Sequence, residues 1–138
     1  MMKLCVLYYR SLGQPQRVRF IAREGSYHGS SVSALTLGHH KQRRIMFQGV
    51  LALDGPNISH VSRAHAFRDM KPGESEQQYV ARLVQELEIE FLRVGPETVC
   101  AFVAEPIVGS VCYLREQLQI LARSVADRDS GPWRSSGS

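Results

Sequence analysis

Apolar residues return at three- and four-residue intervals along three stretches of the chain and run almost unbroken through two shorter ones, so helices and buried strands alternate. Residues 2 to 12 carry Leu4, Leu7, Tyr8 and Leu12, a spacing that predicts one buried helix face ending before Gly13. Gln14-Pro15-Gln16-Arg17 reads as a loop into a strand from Val18 to Ala22. After Gly29, hydroxyls at Ser30 and Ser31 that can cap free N–H groups open a short helix, which stops at Gly38. Residues 41 to 57 are mixed, with Pro56 and two glycines, and predict mostly loop. Ile58 to Val61 predicts a second short strand, with His60 in a structural role, and Arg63 to Gly73 a polar connection.

The clearest helix follows. Ser75 with Gln78 three residues on fits a capping box, and Tyr79, Leu83, Leu87, Phe91 and Val94 form the stripe that Gly95-Pro96 ends. Thr98 to Ala104 is then an uninterrupted apolar run of the kind that suits a central parallel strand covered on both faces. Leu114, Leu118, Leu121 and Val125 predict a further helix over 113 to 126, and Asp127 to Ser138 is polar and glycine-containing, the composition of a disordered tail. A helix that begins at Met1 with no cap and no preceding turn suggests absent upstream sequence. This order of elements is that of an α/β protein with a parallel sheet and flanking helices.

Composition narrows the class. The chain has 138 residues, 43% of them apolar and 22% charged, which is ordinary globular usage for a single unit. No run reaches membrane length, and the start lacks a small-residue cleavage site. Cys5, Cys100 and Cys112 have no paired spacing, which argues for reduced thiols, a cytoplasmic home and no zinc site. The net charge is +4, but its one concentration is His39-His40-Lys41-Gln42-Arg43-Arg44. Such a hexamer can touch phosphate, RNA or an acidic partner. Without a recognised nucleic-acid module it is better read as a helix end, where cations complement the negative end of the dipole. Neither nucleic acid nor a membrane is an expected partner.

Chemistry is expected where the strands end, because α/β folds bind ligands at the carboxyl ends of their strands. Two such ends carry suitable groups. Ser26-Tyr27-His28-Gly29 offers a flat ring, an imidazole and a glycine that permits close approach, and Glu105-Pro106 places a carboxylate at the mouth of a buried run. Read singly, each also fits a plain alternative: a Tyr on the core edge beside a solvated His, and an exposed Glu that Pro106 keeps extended.

Taken together, the segments Phe20-Ile21-Ala22-Arg23, Ser26-Tyr27-His28-Gly29, Ala34-Leu35, Ile58-Ser59-His60-Val61-Ser62, Gly73-Glu74-Ser75, Val94 to Val99 and Phe102-Val103-Ala104-Glu105-Pro106 resemble the class III pyridoxal-phosphate-dependent aminotransferases, fungal members most of all. The resemblance runs from about Lys3 to Gly109. It implies a slice of the large domain of a fold type I transferase over residues 1–109, a divergent helical segment over 110–126 and the tail over 127–138. It implies that Tyr27 stacks on the pyridine ring of pyridoxal 5'-phosphate, that His28 and Gly29 support the pocket, and that Glu105 lines it near the ring and the substrate. Ser31 stands where many relatives have Thr and keeps the hydroxyl.

The resemblance also implies parts that this sequence does not carry. The family's Schiff-base lysine and the aspartate that holds the pyridine nitrogen protonated come after the Glu-Pro strand, and Lys3, Lys41 and Lys71 are not in the matching place. The glycine- and serine-rich phosphate segment is missing as well. The expectation is therefore a truncated, inactive member of a family that moves amino groups between a small-molecule donor and a keto acid or aldehyde. The alternative is a non-catalytic protein that self-associates or joins a full-length relative through unpaired sheet edges.

Overall fold

The computed structural model describes residues 1–51 and 57–105. The expected helix over 113–126, the tail and Cys112 lie outside the described residues. In chain order the elements are α1 (Met2–Ser11), β1 (Arg19–Arg23), α2 (Val32–Leu37), α3 (Lys41–Arg44), a 3-10 turn (Ile45–Phe47), α4 (Gln48–Leu51), β2 (Ile58–Val61), α5 (Ala66–Asp69), α6 (Glu76–Val94), a second 3-10 turn (Pro96–Thr98) and β3 (Val99–Val103). The three described strands are parallel in the order β2-β1-β3.

Among the described strands β1 is the middle one: it bonds β2 along one edge, with Phe20 opposite Ile58, and β3 along the other, with Ala22 opposite Val103. β3 has one described neighbour, and its Ala101 and Phe102 are only half-buried. On β1, by contrast, residues 20 to 23 are all buried, as a strand with two neighbours and two covered faces must be.

Side chains of β1 alternate between two apolar layers. Phe20 and Ala22 pack with Leu37, Cys100 and Val103 beneath α1 and α2, while Ile21 packs with Val61, Leu87, Val94 and Val99 beneath α6. Cys5 and Cys100 are free thiols in the first layer, and burial pushes the Cys100 thiol up to about 11, an inert group.

α6 forms as its sequence predicts. The Ser75 hydroxyl accepts the Gln78 N–H at 3.3 Å, and the Gln78 side chain accepts the Ser75 N–H at 2.8 Å, so two orphan donors are satisfied reciprocally. Gly95 ends the helix at φ +87, a left-handed value that a side chain would resist. Tyr79, Leu83, Leu87 and Val94 are buried, each worth roughly 1.5–3 kcal/mol. The Tyr79 hydroxyl accepts the His65 N–H at 2.8 Å, which ties the chain after β2 to the start of α6.

Three expectations change. Leu4, Leu7, Tyr8 and Leu12 are exposed, at 53–69% of their full area, and the face of α1 on the sheet is instead Met2, Cys5, Val6 and Tyr9. Both sets repeat at helical spacing, so periodicity alone could not choose between them. Residues 41–51 are three short helical turns rather than loop, because Arg44 bonds back to α2, as described below. The connection after β2 contains one helical turn, α5, whose buried Ala66 packs with Tyr79 and Val80.

Packing should therefore outweigh capping in α6. We expect Leu87→Ala to lower the unfolding free energy by about 2–5 kcal/mol and Ser75→Ala by only about 1 kcal/mol, measured by urea denaturation followed by circular dichroism.

Candidate functional site

The site is built where β1 and β3 leave the sheet. Their register sets Ala22 beside Val103, so both chains emerge at the same edge. The Tyr27 N–H then donates to the Glu105 carboxylate at 2.7 Å, across 78 residues of sequence. A backbone donor on an ionised acceptor is stronger than a neutral pair, and this one fixes the backbone directly beneath the Tyr27 ring. The ring is held at its tip as well, by a 3.1 Å hydrogen bond between the Tyr27 and Ser30 hydroxyls.

Two glycines shape the turn around that ring. Gly29 sits at φ +124, and a Cβ there would come within 3.2 Å of the Ala34 Cβ. Gly38 has ordinary backbone angles, but a Cβ would meet the Ser26 carbonyl oxygen at 2.8 Å, a contact no real side chain tolerates. The first is a conformational need and the second a close approach, the two uses of glycine expected of this segment. Between them, the Ser31 hydroxyl accepts the Ala34 N–H and caps α2.

His28 is half-buried, and its Nε2 is enclosed with no hydrogen-bond partner among the described residues. Burial pushes its pKa below the usual imidazole value, and the nearby Glu105 carboxylate opposes the shift without cancelling it. His28 is therefore neutral near pH 7, with one ring nitrogen still able to bond a ligand. His60 is structural, as expected: its Nε2 donates to the Leu37 carbonyl at 2.9 Å and joins β2 to the end of α2.

The basic hexamer is a helix end whose Lys41, Gln42 and Arg43 are exposed, and only its last residue is tied into the fold. The Arg44 guanidinium donates to the carbonyls of Leu35, Thr36 and Gly38, the last at 2.7 Å, and so satisfies the orphan acceptors at the end of α2. That anchor carries Arg43 onto the Tyr27 ring, with its guanidinium carbon 4.6 Å from the ring centroid. Sequence reasoning missed Ser30 and Arg43. The Tyr27 to Ser30 spacing of three residues in a turn could have suggested the first, but nothing local connects Arg43 to a ring sixteen residues earlier.

The structure thus brings Tyr27, His28, Gly29 and Glu105 to one strand mouth. The flat Tyr27 ring on a fixed backbone, the unpartnered His28 nitrogen and the space kept by Gly29 fit one side of a planar heteroaromatic such as pyridoxal phosphate. Lys3, Lys41 and Lys71 are all exposed, on α1, on α3 and in the turn before α6. Among the described residues no group of His, Cys, Asp and Glu could hold a metal, and no helix is long and apolar enough to cross a membrane.

Comparison with known proteins agrees with these features. The family model "Aminotransferase class-III" matches residues 1–124. The chain is similar to an aminotransferase of Gibberella zeae, 51% identical over 111 residues, covering 79% of this chain and 21% of that protein. It is also similar to a chloroplastic gamma aminobutyrate transaminase of Solanum lycopersicum, 38% identical over 108 residues, covering 78% of this chain and 20% of that one. Among solved structures it matches an omega transaminase from Pseudomonas jessenii in complex with PMP, at TM-score 0.79 and 30% identity, over 93% of this chain and 28% of that one. The chain spans about a fifth of the length of the curated relatives it matches.

Removing the carboxylate by Glu105→Ala should speed hydrogen exchange at the Tyr27 amide by about tenfold or more under native conditions, read by NMR. Stability should also fall with acid. His28, His39 and His60 are all held below their ordinary value of 6.5, chiefly by burial, so the unfolded chain takes up protons first as the pH drops. The unfolding free energy is expected to decrease as the pH falls through about 6.5 and to level off below the folded-state values, measured by denaturant titrations from pH 7.5 to 5.

Proposed function

Since the chain belongs to the class III aminotransferases, we propose that its strand mouth is one wall of a pyridoxal phosphate pocket. The observation that carries this reading is the hydrogen bond from the Tyr27 N–H to Glu105, which unites the two segments of the chain that could face a cofactor ring. Tyr27 would supply the stacking face, worth about 0.5–1.5 kcal/mol, and His28 a neutral nitrogen at the ring edge. Gly29 would keep the approach open, and Glu105 would hold the backbone of the platform. When bound, the cofactor supplies the electron sink through which an amino group passes between a small-molecule donor and a keto acid or aldehyde acceptor.

This chain's residues are read as binding and orienting the ring: the Glu105 Oε1 is committed to the Tyr27 N–H, and Tyr27 and His28 sit on the same turn. None of the three lysines stands at the strand mouth beside Tyr27. The chain of 138 residues alone is therefore proposed to be inactive, a wall whose opposite side other sequence must supply.

A second reading is favoured by α1. Its exposed Leu4, Leu7 and Tyr8 form an apolar stripe, on a helix that already packs its other face on the sheet. In this reading the chain is a non-catalytic partner that self-associates or joins a complete aminotransferase. Size-exclusion chromatography, with and without such a relative, separates the two: a lone monomer that ignores the relative sinks the partner reading.

The enzymatic test is direct. Purified chain with pyridoxal phosphate and an amino donor should give no half-reaction, and borohydride should fix no cofactor to a particular lysine by mass spectrometry. Stoichiometric labelling of one lysine would overturn the inactive reading.

A further inference from the structure

Several arginines among the described residues spend their N–H groups on oxygen. Arg63, Arg82 and Arg93 each make paired bonds to a carboxylate, while Arg17 and Arg44 donate to backbone carbonyls. Arg17, Arg23 and Arg82 also lie over aromatic rings, but Arg43 has the shortest such contact and makes no hydrogen bond to oxygen among the described residues. Its guanidinium lies over the face of Tyr27, the ring that the reading above assigns to the cofactor.

The placement is built by its neighbours. Arg44 is locked by three carbonyls at the end of α2, which fixes the end of α3 and brings the neighbouring Arg43 beside the Tyr27 ring. Tyr27 is restrained separately, at its N–H by Glu105 and at its hydroxyl by Ser30. The ring therefore has fixed ends and two faces, and Arg43 covers one of them. A cation against one face limits rocking of the ring and places positive charge near any ligand on the other.

We propose that Arg43 is a positioning residue that backs the Tyr27 ring, so that the ring presents a single open face to a planar, anionic heteroaromatic with the chemistry of a pyridine phosphate. The proposal rests on the cofactor reading for its ligand and on the Arg43–Tyr27–Ser30 geometry for its mechanism. Arg43 touches no reacting atom. It acts through Tyr27, much as a hydrogen-bonded neighbour fixes a ligating side chain. The planar guanidinium suits the task better than the compact ammonium of lysine, since it can lie flat on the ring.

The test uses the full, isotopically labelled chain in solution. Without any ligand, the Arg43 δ-methylene protons should be displaced upfield by the Tyr27 ring current, and Tyr27→Leu should return them to the range of the other arginines. Arg43→Met should weaken the Tyr27 to Ser30 nuclear Overhauser contact, and Arg43→Lys should restore part of it. Pyridoxal phosphate should then perturb the Tyr27 ring protons, with inorganic phosphate as the control for the anion alone, and Arg43→Met should weaken the pyridoxal phosphate response about two- to fivefold. Undisplaced Arg43 resonances overturn the proposal. So does equal or tighter binding by Arg43→Met, which would mean that arginine and ligand compete for the same face. Displaced Arg43 resonances with a Tyr27 ring that ignores pyridoxal phosphate in the wild-type chain overturn the cofactor reading and the ligand named here. A response to inorganic phosphate equal to that to pyridoxal phosphate overturns the stacking role.

Discussion

Enclosure of β1 on both faces and along both edges is the constraint on which the rest of the structure depends. A strand so placed must find apolar cover above and below and backbone partners on each side. Each requirement recruits an element: α1 and α2 over Phe20 and Ala22, α6 over Ile21, and β2 and β3 along the edges. Because both partners are parallel, the carboxyl ends of all three strands gather at one edge. The site is a consequence of that gathering. Tyr27 and Glu105 meet because Ala22 and Val103 are in register, not because either side chain pulls the fold together.

The cost of enclosing β1 is visible at its last residue. Arg23 is 2% exposed, and burial lowers its pKa to about 10, which still leaves it charged at neutral pH. Its compensation is partial: a 3.4 Å hydrogen bond to the Ser62 carbonyl, the face of Phe102 at 5.5 Å, and the charges of Tyr79 and Glu86 nearby. Burying a cation costs desolvation that these partners offset only in part, as the lowered pKa records. Arg44, by contrast, has three short-range carbonyls and closes a helix end. The two arginines differ in how many acceptors surround each. Net charge says nothing about this difference.

Much of the fold was legible in the sequence because local rules and tertiary packing agree there. The capping box at Ser75, the stripe of α6, the Gly95 stop and the short strand Ile58–Val61 are all present as predicted. The errors fall where one pattern admits two structures. α1 carries two apolar stripes, and only the position of the sheet selects Met2, Cys5, Val6 and Tyr9 over Leu4, Leu7 and Tyr8. The order β2-β1-β3 of the described strands is likewise a non-local property that no run of five residues can encode. Within the site, the Tyr27-His28-Gly29 turn and Glu105 were legible as strand ends, while the bond between them required the register. Arg43 was hidden entirely, since its meaning lies in a ring reached through an anchor on a third element.

That chain of dependence bears on what a partial fold can keep. Glu105 reaches Tyr27 from β3, Ser30 holds it from the following turn, and Arg43 covers it from α3, so the ring is fixed from three directions by groups that all lie within 105 residues. The geometry of a stacking platform therefore needs only the three parallel strands and the helices packed on them. Covalent attachment and phosphate capture need groups of other chemistry, placed around the same point. In the reading proposed above, strand register alone sets the orienting part of the site, and the groups for covalent attachment and phosphate capture are not set by it. The orienting half also carries its own reason to persist. The Tyr27–Glu105 bond closes the edge between β1 and β3, and Gly38 lets α2 settle against Ser26, so the same contacts that would present a ring to a ligand hold the fold at that edge.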